Sequence, residues 1–269
     1  MKNNDKTFRV VGDTLSIESD YLSECIEYIN LNKISNIYIC GLFYKLDNLD
    51  FLFDCPNVKN ININSEYINN IDGLYKINGL KGLIIQDMGC EVDLSKFIKL
   101  EDLCCTWNKN YKNIESLKEL KSLRIDKYNP KSKNIFELRT FTKLKNLMIV
   151  RSTIESLENI NYLNGLIKID LNYLNRLLSI KDIIFLDRLK ELKLESCKKI
   201  EDIECIGKLK NIEKISIGKC GNINSIKFLS ELKTLKSFVC IETKILDNDI
   251  TACRNLERYV VDNKKEYFY

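Results

Sequence analysis

The stretch from Leu189 to Leu229 repeats itself almost phrase for phrase. Leu189, Leu192 and Leu194 are followed by Cys197, Ile200, Ile203, Ile206 and Leu209. Ile212, Ile215 and Ile217 are followed by Cys220, Ile223, Ile226 and Leu229, so the apolar positions return every 23 residues. In the first half of each unit the last two apolar residues are two apart, which puts them on one side of a strand. In the second half they recur every third residue, the spacing of a short 3₁₀ or irregular turn with one face inward. One such unit cannot bury its own apolar face, whereas a stack of them can.

The pattern runs through most of the chain. Its openings are Ile34-x-x-Ile37-x-Ile39, Val58-x-x-Ile61-x-Ile63, Leu80-x-x-Leu83-x-Ile85, Leu100-x-x-Leu103-x-Cys105, Leu120-x-x-Leu123-x-Ile125 and Leu144-x-x-Leu147-x-Ile149. Leu166-x-x-Ile169-x-Leu171, the two units above, Leu235-x-x-Phe238-x-Cys240 and Leu256-x-x-Tyr259-x-Val261 complete eleven units at intervals of 20 to 24 residues. This resembles the leucine-rich repeat family, in its short bacterial, internalin-like form with units of about 22 residues. The resemblance implies an α/β solenoid: a leucine-rich repeat horseshoe with a parallel concave β-sheet and short 3₁₀ or irregular convex segments. The family's Asn or Cys after the strand is kept at Asn108, Cys197 and Cys220 and replaced by Glu66, Met88, Tyr128 and Leu174. The ladder that stabilises those turns is therefore expected to be broken.

With 45% hydrophobic residues, only two prolines and ten glycines, the chain reads as one continuous body. Residues 1–33 are expected to form an N-terminal cap. Two short strands within 7–17 flank Gly12-Asp13, and a helix over 19–32 is capped by Ser19 or Asp20. That helix presents Leu22, Cys25, Ile26 and Ile29 as its apolar face. Repeats follow over 34–255, and 256–269 supply the last strand and a C-terminal cap that includes Tyr267, Phe268 and Tyr269. Residues 42–57 read as the least regular convex segment, and 127–134 as a longer polar loop.

Catalysis is not expected. The chain has no histidine, which removes the commonest base at neutral pH and the usual Ser-His, Cys-His and zinc chemistry. It carries no phosphate-binding glycine loop, and no cofactor or metal is expected. The eleven cysteines sit mostly within apolar pattern and read as free, mostly buried thiols. The net charge of +4 is mixed rather than a basic stripe, so nucleic acid is not expected. No run of 18 apolar residues suggests a membrane span. The first residues hold no apolar leader, so a cytoplasmic location is expected.

Binding is expected on the concave face, formed by residues between and just after the inward strand positions. The early units offer Asn60, Asn62, Asn64 and Ser65, and the next ones Ile84 and Cys104. The proposed contact surface is Trp107, Arg124, Asp126, Lys127, Met148, Val150, Arg151, Asp170, Tyr173, Lys193 and Glu195, with Met148 and Val150 as its exposed apolar centre. Trp, Tyr and Arg are the usual anchors of a protein interface. The chain is thus expected to be a monomeric, cytoplasmic bacterial protein that blocks a protein partner sterically, a toxin-neutralising immunity protein being one version. The alternative is an internalin-like adhesion protein or a secreted host-directed effector.

Overall fold

The computed structural model describes residues 9–86 and 88–262, which fall into two units, Met1–Leu120 and Lys121–Tyr269. Tyr267, Phe268 and Tyr269, expected to cover the last repeat, lie outside the described residues.

In the first unit, β1 (Val10–Val11) and β2 (Thr14–Ile17) pair antiparallel around Gly12. The φ of Gly12 is +61°, a conformation open to glycine because it has no Cβ. Helix α1 (Leu22–Asn32) buries Cys25 and Ile29, as the spacing requires. The expected side-chain cap is absent from it. Ser19 instead ties this segment to the first repeat: its hydroxyl donates to the Phe43 carbonyl at 3.1 Å and accepts from the Lys45 N–H at 3.2 Å. A capping residue spent on a tertiary contact cannot also satisfy the helix end.

The chain continues through β3 (Asn36–Cys40), β4 (Asn60–Asn64), β5 (Gly82–Ile85), β6 (Val92–Asp93), β7 (Asp102–Thr106) and β8 (Tyr111–Lys112). β2, β3, β4, β5 and β7 form one parallel array, and β6 pairs with β8 separately. The repeat phase is the sheet register: Ile37, Ile61, Leu83 and Leu103 lie side by side, as do Ile39, Ile63, Ile85 and Cys105. All eight are buried.

The second unit stacks seven parallel strands: β9 (Ser122–Asp126), β10 (Asn146–Val150), β11 (Lys168–Asn172), β12 (Glu191–Glu195), β13 (Lys214–Gly218), β14 (Ser237–Ile241) and β15 (Arg258–Val261). One inner column runs Leu123, Leu147, Ile169, Leu192, Ile215, Phe238, and the other Ile125, Ile149, Leu171, Leu194, Ile217, Cys240. Burying each large aliphatic side chain is worth about 1.5–3 kcal/mol. A slip of one residue would turn a whole column to the other face, so the pattern pins the register. The return segments are mostly single 3₁₀ turns, such as Lys181–Phe185 and Lys227–Glu231, with one α-helical turn at Asp72–Tyr75 in the first unit.

Two further columns follow the strands of the second unit. Lys127, Arg151, Tyr173, Ser196, Lys219 and Glu242 each adopt φ between 49° and 58°, one left-handed residue per coil, and none is glycine. The N–H groups of the first five extend the sheet by one bond, for example Tyr173 to the Glu195 carbonyl at 2.8 Å. A Cβ in this region costs about 1–2 kcal/mol. Lys219→Gly is therefore expected to stabilise the protein by about 0.5–1 kcal/mol after the glycine's entropy in the unfolded chain is counted. Its exposed 3.4 Å ion pair with Glu242 subtracts little. Thermal unfolding of this variant checks the sign, and a lower midpoint overturns it.

One residue later comes the column Tyr128, Ser152, Leu174, Cys197, Cys220, Thr243. The ladder is interrupted as expected at Tyr128 and Leu174, which are fully buried. It is carried elsewhere by two residues the family pattern did not flag. The Ser152 hydroxyl donates to the Tyr128 carbonyl at 2.7 Å, and Thr243 Oγ1 accepts the Cys220 N–H at 3.0 Å. In the first unit Met88 is buried while Glu66 is exposed.

Candidate protein-binding face

Residues that alternate with the inner columns form the open face of each sheet. In the second unit the middle row reads Arg124, Met148, Asp170, Lys193, Ser216, Val239, Val260 across β9 to β15. The next row reads Asp126, Val150, Asn172, Glu195, Gly218, Ile241.

The early rows are tied up in ion pairs. Arg151 grips Asp126 with both arms of its guanidinium, Nε to Oδ1 at 2.8 Å and Nη2 to Oδ2, the two-pronged geometry that favours arginine over lysine. Asp170 accepts from Asn172 Nδ2 at 2.7 Å and faces Lys193 Nζ at 3.7 Å. Glu191 sits between Lys214 at 2.8 Å and Lys168 at 3.2 Å. The hydrogen bond from Lys214 is the main reason that its carboxyl is held below the usual range. Asp126, Asp170 and Glu191, which interrupt the basic residues of this face, each have a cationic partner.

Val150, expected as an exposed apolar contact, is buried. It lies in register with Asp126, and the Arg151 side chain reaches back to that carboxylate from the position next to Val150. Met148 is half-buried, Tyr173 is 52% exposed, and Lys127 and Arg124 are exposed. Beyond the ends of β10 and β11, Val150, Arg151, Ser152, Tyr173, Asn175 and Arg176 line a shallow groove. Trp107 is half-buried directly after β7 and belongs to the first unit, whereas Arg124 and Arg151 belong to the second. On the first unit's face, Asn60 Nδ2 donates to Asn36 Oδ1 at 2.6 Å, and Ile84 is 37% exposed.

The residues that sequence reasoning passed over lie in the last rows. Ser216, Gly218, Val239, Ile241 and Val260 make the face there small and apolar. Val239 and Val260 are half-buried, and Ile241 is 39% exposed. A Cβ at Gly218 would overlap the Glu195 carboxylate. The signal was in the register itself: the same alternate positions that name Arg124 and Met148 name Val239 and Val260 when counted to the end.

Among the described residues no group of three or more Cys, Asp or Glu side chains could hold a metal ion. Burial raises the Cys55, Cys205 and Cys240 thiols to about 12, so these are not prepared nucleophiles. No helix among the described residues is long and apolar enough to cross a membrane.

No protein-family model matches the sequence, and no curated protein matches it either. Solved structures do match. An internalin (InlF) from Listeria monocytogenes shares 14% identity over 94% of this chain and 87% of that one, with a TM-score of 0.51. Internalin C2 of Listeria monocytogenes shares 16% identity over 64% of this chain and 76% of that chain, with a TM-score of 0.47. A leucine-rich repeat protein of Leptospira interrogans shares 13% identity over 92% and 88%, with a TM-score of 0.40. The likeness to the first shows the fold, a leucine-rich-repeat-like solenoid like that of the internalin. It also corrects the expected cytoplasmic location, because internalins are secreted or cell-surface proteins of bacteria.

Proposed function

We propose that this chain is a non-catalytic leucine-rich repeat module, displayed on or secreted from a bacterium, that holds a protein partner against the open face of its second unit. The observation that carries the reading is the change of chemistry along that face. Rows β9 to β12 are bound up in ion pairs, while Val239, Ile241 and Val260 leave an accessible apolar patch with small neighbours at Ser216 and Gly218. Apolar centre and charged rim is the anatomy of a protein interface. Arg151, Asp170, Tyr173, Lys193 and Glu195 would then act as rim contacts that set orientation more than affinity. The toxin-neutralising version rested on a cytoplasmic site and falls with it.

The test has two parts. Fractionation of the native bacterium should place the protein at the surface or in the medium, and recovery in the cytosol alone would count against the reading. The purified chain should then hold one stoichiometric protein partner that an equally folded Ile241→Lys variant releases. Equal retention by both would move the contact off this patch.

A further inference from the structure

We propose that Asn78 is a self-modification site: in the folded protein the Gly79 nitrogen displaces its side-chain amide, leaving mainly isoaspartate on the path into β5. This goes beyond the binding reading and holds whichever partner the open face carries.

The sequence holds two Asn-Gly pairs, Asn78-Gly79 and Asn164-Gly165, at the same place in their coils, directly before the buried Leu80 and Leu166. Glycine has no Cβ to shield its nitrogen and follows a bending backbone most readily, so this dipeptide is the one most prone to ring closure. Both asparagines are exposed. The surroundings of the two glycines differ. Gly79 has a φ of +101°, and where a Cβ would sit it meets only Lys59 Nζ, at 3.7 Å. Among the described residues neither the Asn78 side chain nor the Gly79 N–H makes a hydrogen bond. Gly165 instead lies against two carbonyl oxygens of the preceding coil, 3.1 Å for Leu144 and 3.5 Å for Thr142 from its Cβ position. Asn164 closes a 3₁₀ turn in the right-handed helical conformation, φ −63° and ψ −9°, which holds the next nitrogen well away from its side-chain carbon.

Solvent hydroxide takes the Gly79 N–H proton, and that nitrogen attacks Cγ of Asn78. Negative charge passes from the nitrogen to the side-chain oxygen of a tetrahedral intermediate. The nearby Lys59 ammonium favours that charge, whereas the Leu144 and Thr142 carbonyls beside Gly165 oppose it. The bond from Cγ to the amide nitrogen then breaks, and ammonia leaves with a proton from water. The product is a five-membered cyclic imide. Water opens it at one of its two carbonyls. Attack at Cγ gives aspartate; attack at the main-chain carbonyl leaves Gly79 joined to Cγ, which is isoaspartate. One water enters, one ammonia leaves, and nothing is oxidised or reduced. Isoaspartate puts an extra carbon into the main chain. Three residues on, the Lys81 and Gly82 N–H groups bond the Lys59 carbonyl at 2.7 Å and 3.1 Å and lead into β5, so the added length loosens the start of that strand.

The experiment holds the purified full chain at neutral and mildly alkaline pH, native and in denaturant, and follows tryptic peptides by mass spectrometry. Peptide 77–81, INGLK, is expected to gain one mass unit and split into an isoaspartate and an aspartate form. In the native chain Asn78 should react at least about tenfold faster than Asn164, a barrier difference of about 1.4 kcal/mol. In denaturant that difference should vanish. Lys59→Met should slow Asn78 and leave Asn164 unchanged. The aged protein should unfold at a lower temperature than fresh protein, and Asn78→Gln, aged alongside, should keep its midpoint. Four results overturn the proposal: equal rates at the two sites in the native chain, an Asn78 that keeps its amide there, a Lys59→Met chain that reacts as fast as wild type, or a fully converted protein with an unchanged midpoint.

Discussion

Replacing Val239 and Ile241 together by glutamate is expected to weaken partner binding at least about 100-fold, or about 2.7 kcal/mol. Both side chains project from β14 on the open face, and β14 has Ser216 and Gly218 on one side and Val260 on the other. That patch lacks the ion pairs that occupy β9 to β12. Desolvating two carboxylates against an apolar partner surface has no compensating cation there, and a buried unpaired charge is strongly unfavourable. The fold should tolerate the change, since the inward residues of β14, Phe238 and Cys240, are untouched. Titration of the purified pair against the partner reads the effect. By contrast, Arg151→Met breaks a pair in which the arginine is 60% exposed. Exposed pairs contribute little to stability, so it should alter binding less than tenfold. If the arginine variant loses more affinity than the β14 variant, the apolar patch is not the centre.

Tyr128→Ala is expected to destabilise the second unit by about 3–5 kcal/mol, the usual cost of emptying a large aromatic site. Tyr128 is fully buried although it belongs to a segment, 127–134, that reads as a polar loop. Its carbonyl accepts from Ser152 Oγ and from the Thr153 N–H at 3.1 Å, which joins the loop to the next coil. Tyr128→Phe keeps the ring and should cost about 1 kcal/mol. Burial also pushes the Tyr128 phenol above its ordinary value of 10.0, as it does for Tyr44 in the first unit. A raised pKa in the folded state stabilises the protonated form. Its contribution is complete below pH 10 and is lost as pH rises above that value. Thermal midpoints should therefore fall from about pH 10 upward, less steeply in Tyr128→Phe. A flat alkaline profile would mean that Tyr128 is reachable by water.

Most of the fold was legible because its signal is local and repeated. Ile37, Ile61, Leu83 and Leu103 differ in neighbours but share one phase, and phase is what sets a strand's inner face. Loop positions were less legible. Tyr128 and Pro130 are buried in a segment full of Lys, Asn and Ser, since a longer return must fill its own volume. The ladder column was half visible: Cys197 and Cys220 follow the family's habit, but Ser152 and Thr243 do the same work with hydroxyls.

The candidate face divides in the same way. The sequence by itself determined which residues alternate outward, because a strand has a period of two whatever surrounds it. It also determined that histidine chemistry is absent. Only the tertiary structure decided which outward residues are spent on each other. Arg151 and Asp126 are 25 residues apart, and their pairing turns two promising contacts into a closed ion pair beside a buried Val150. Register brings Val239, Ile241 and Val260 together where no such pairing occurs. Neighbours in a parallel sheet are set by coil length, and side-chain reach across that spacing decides what remains open to a partner.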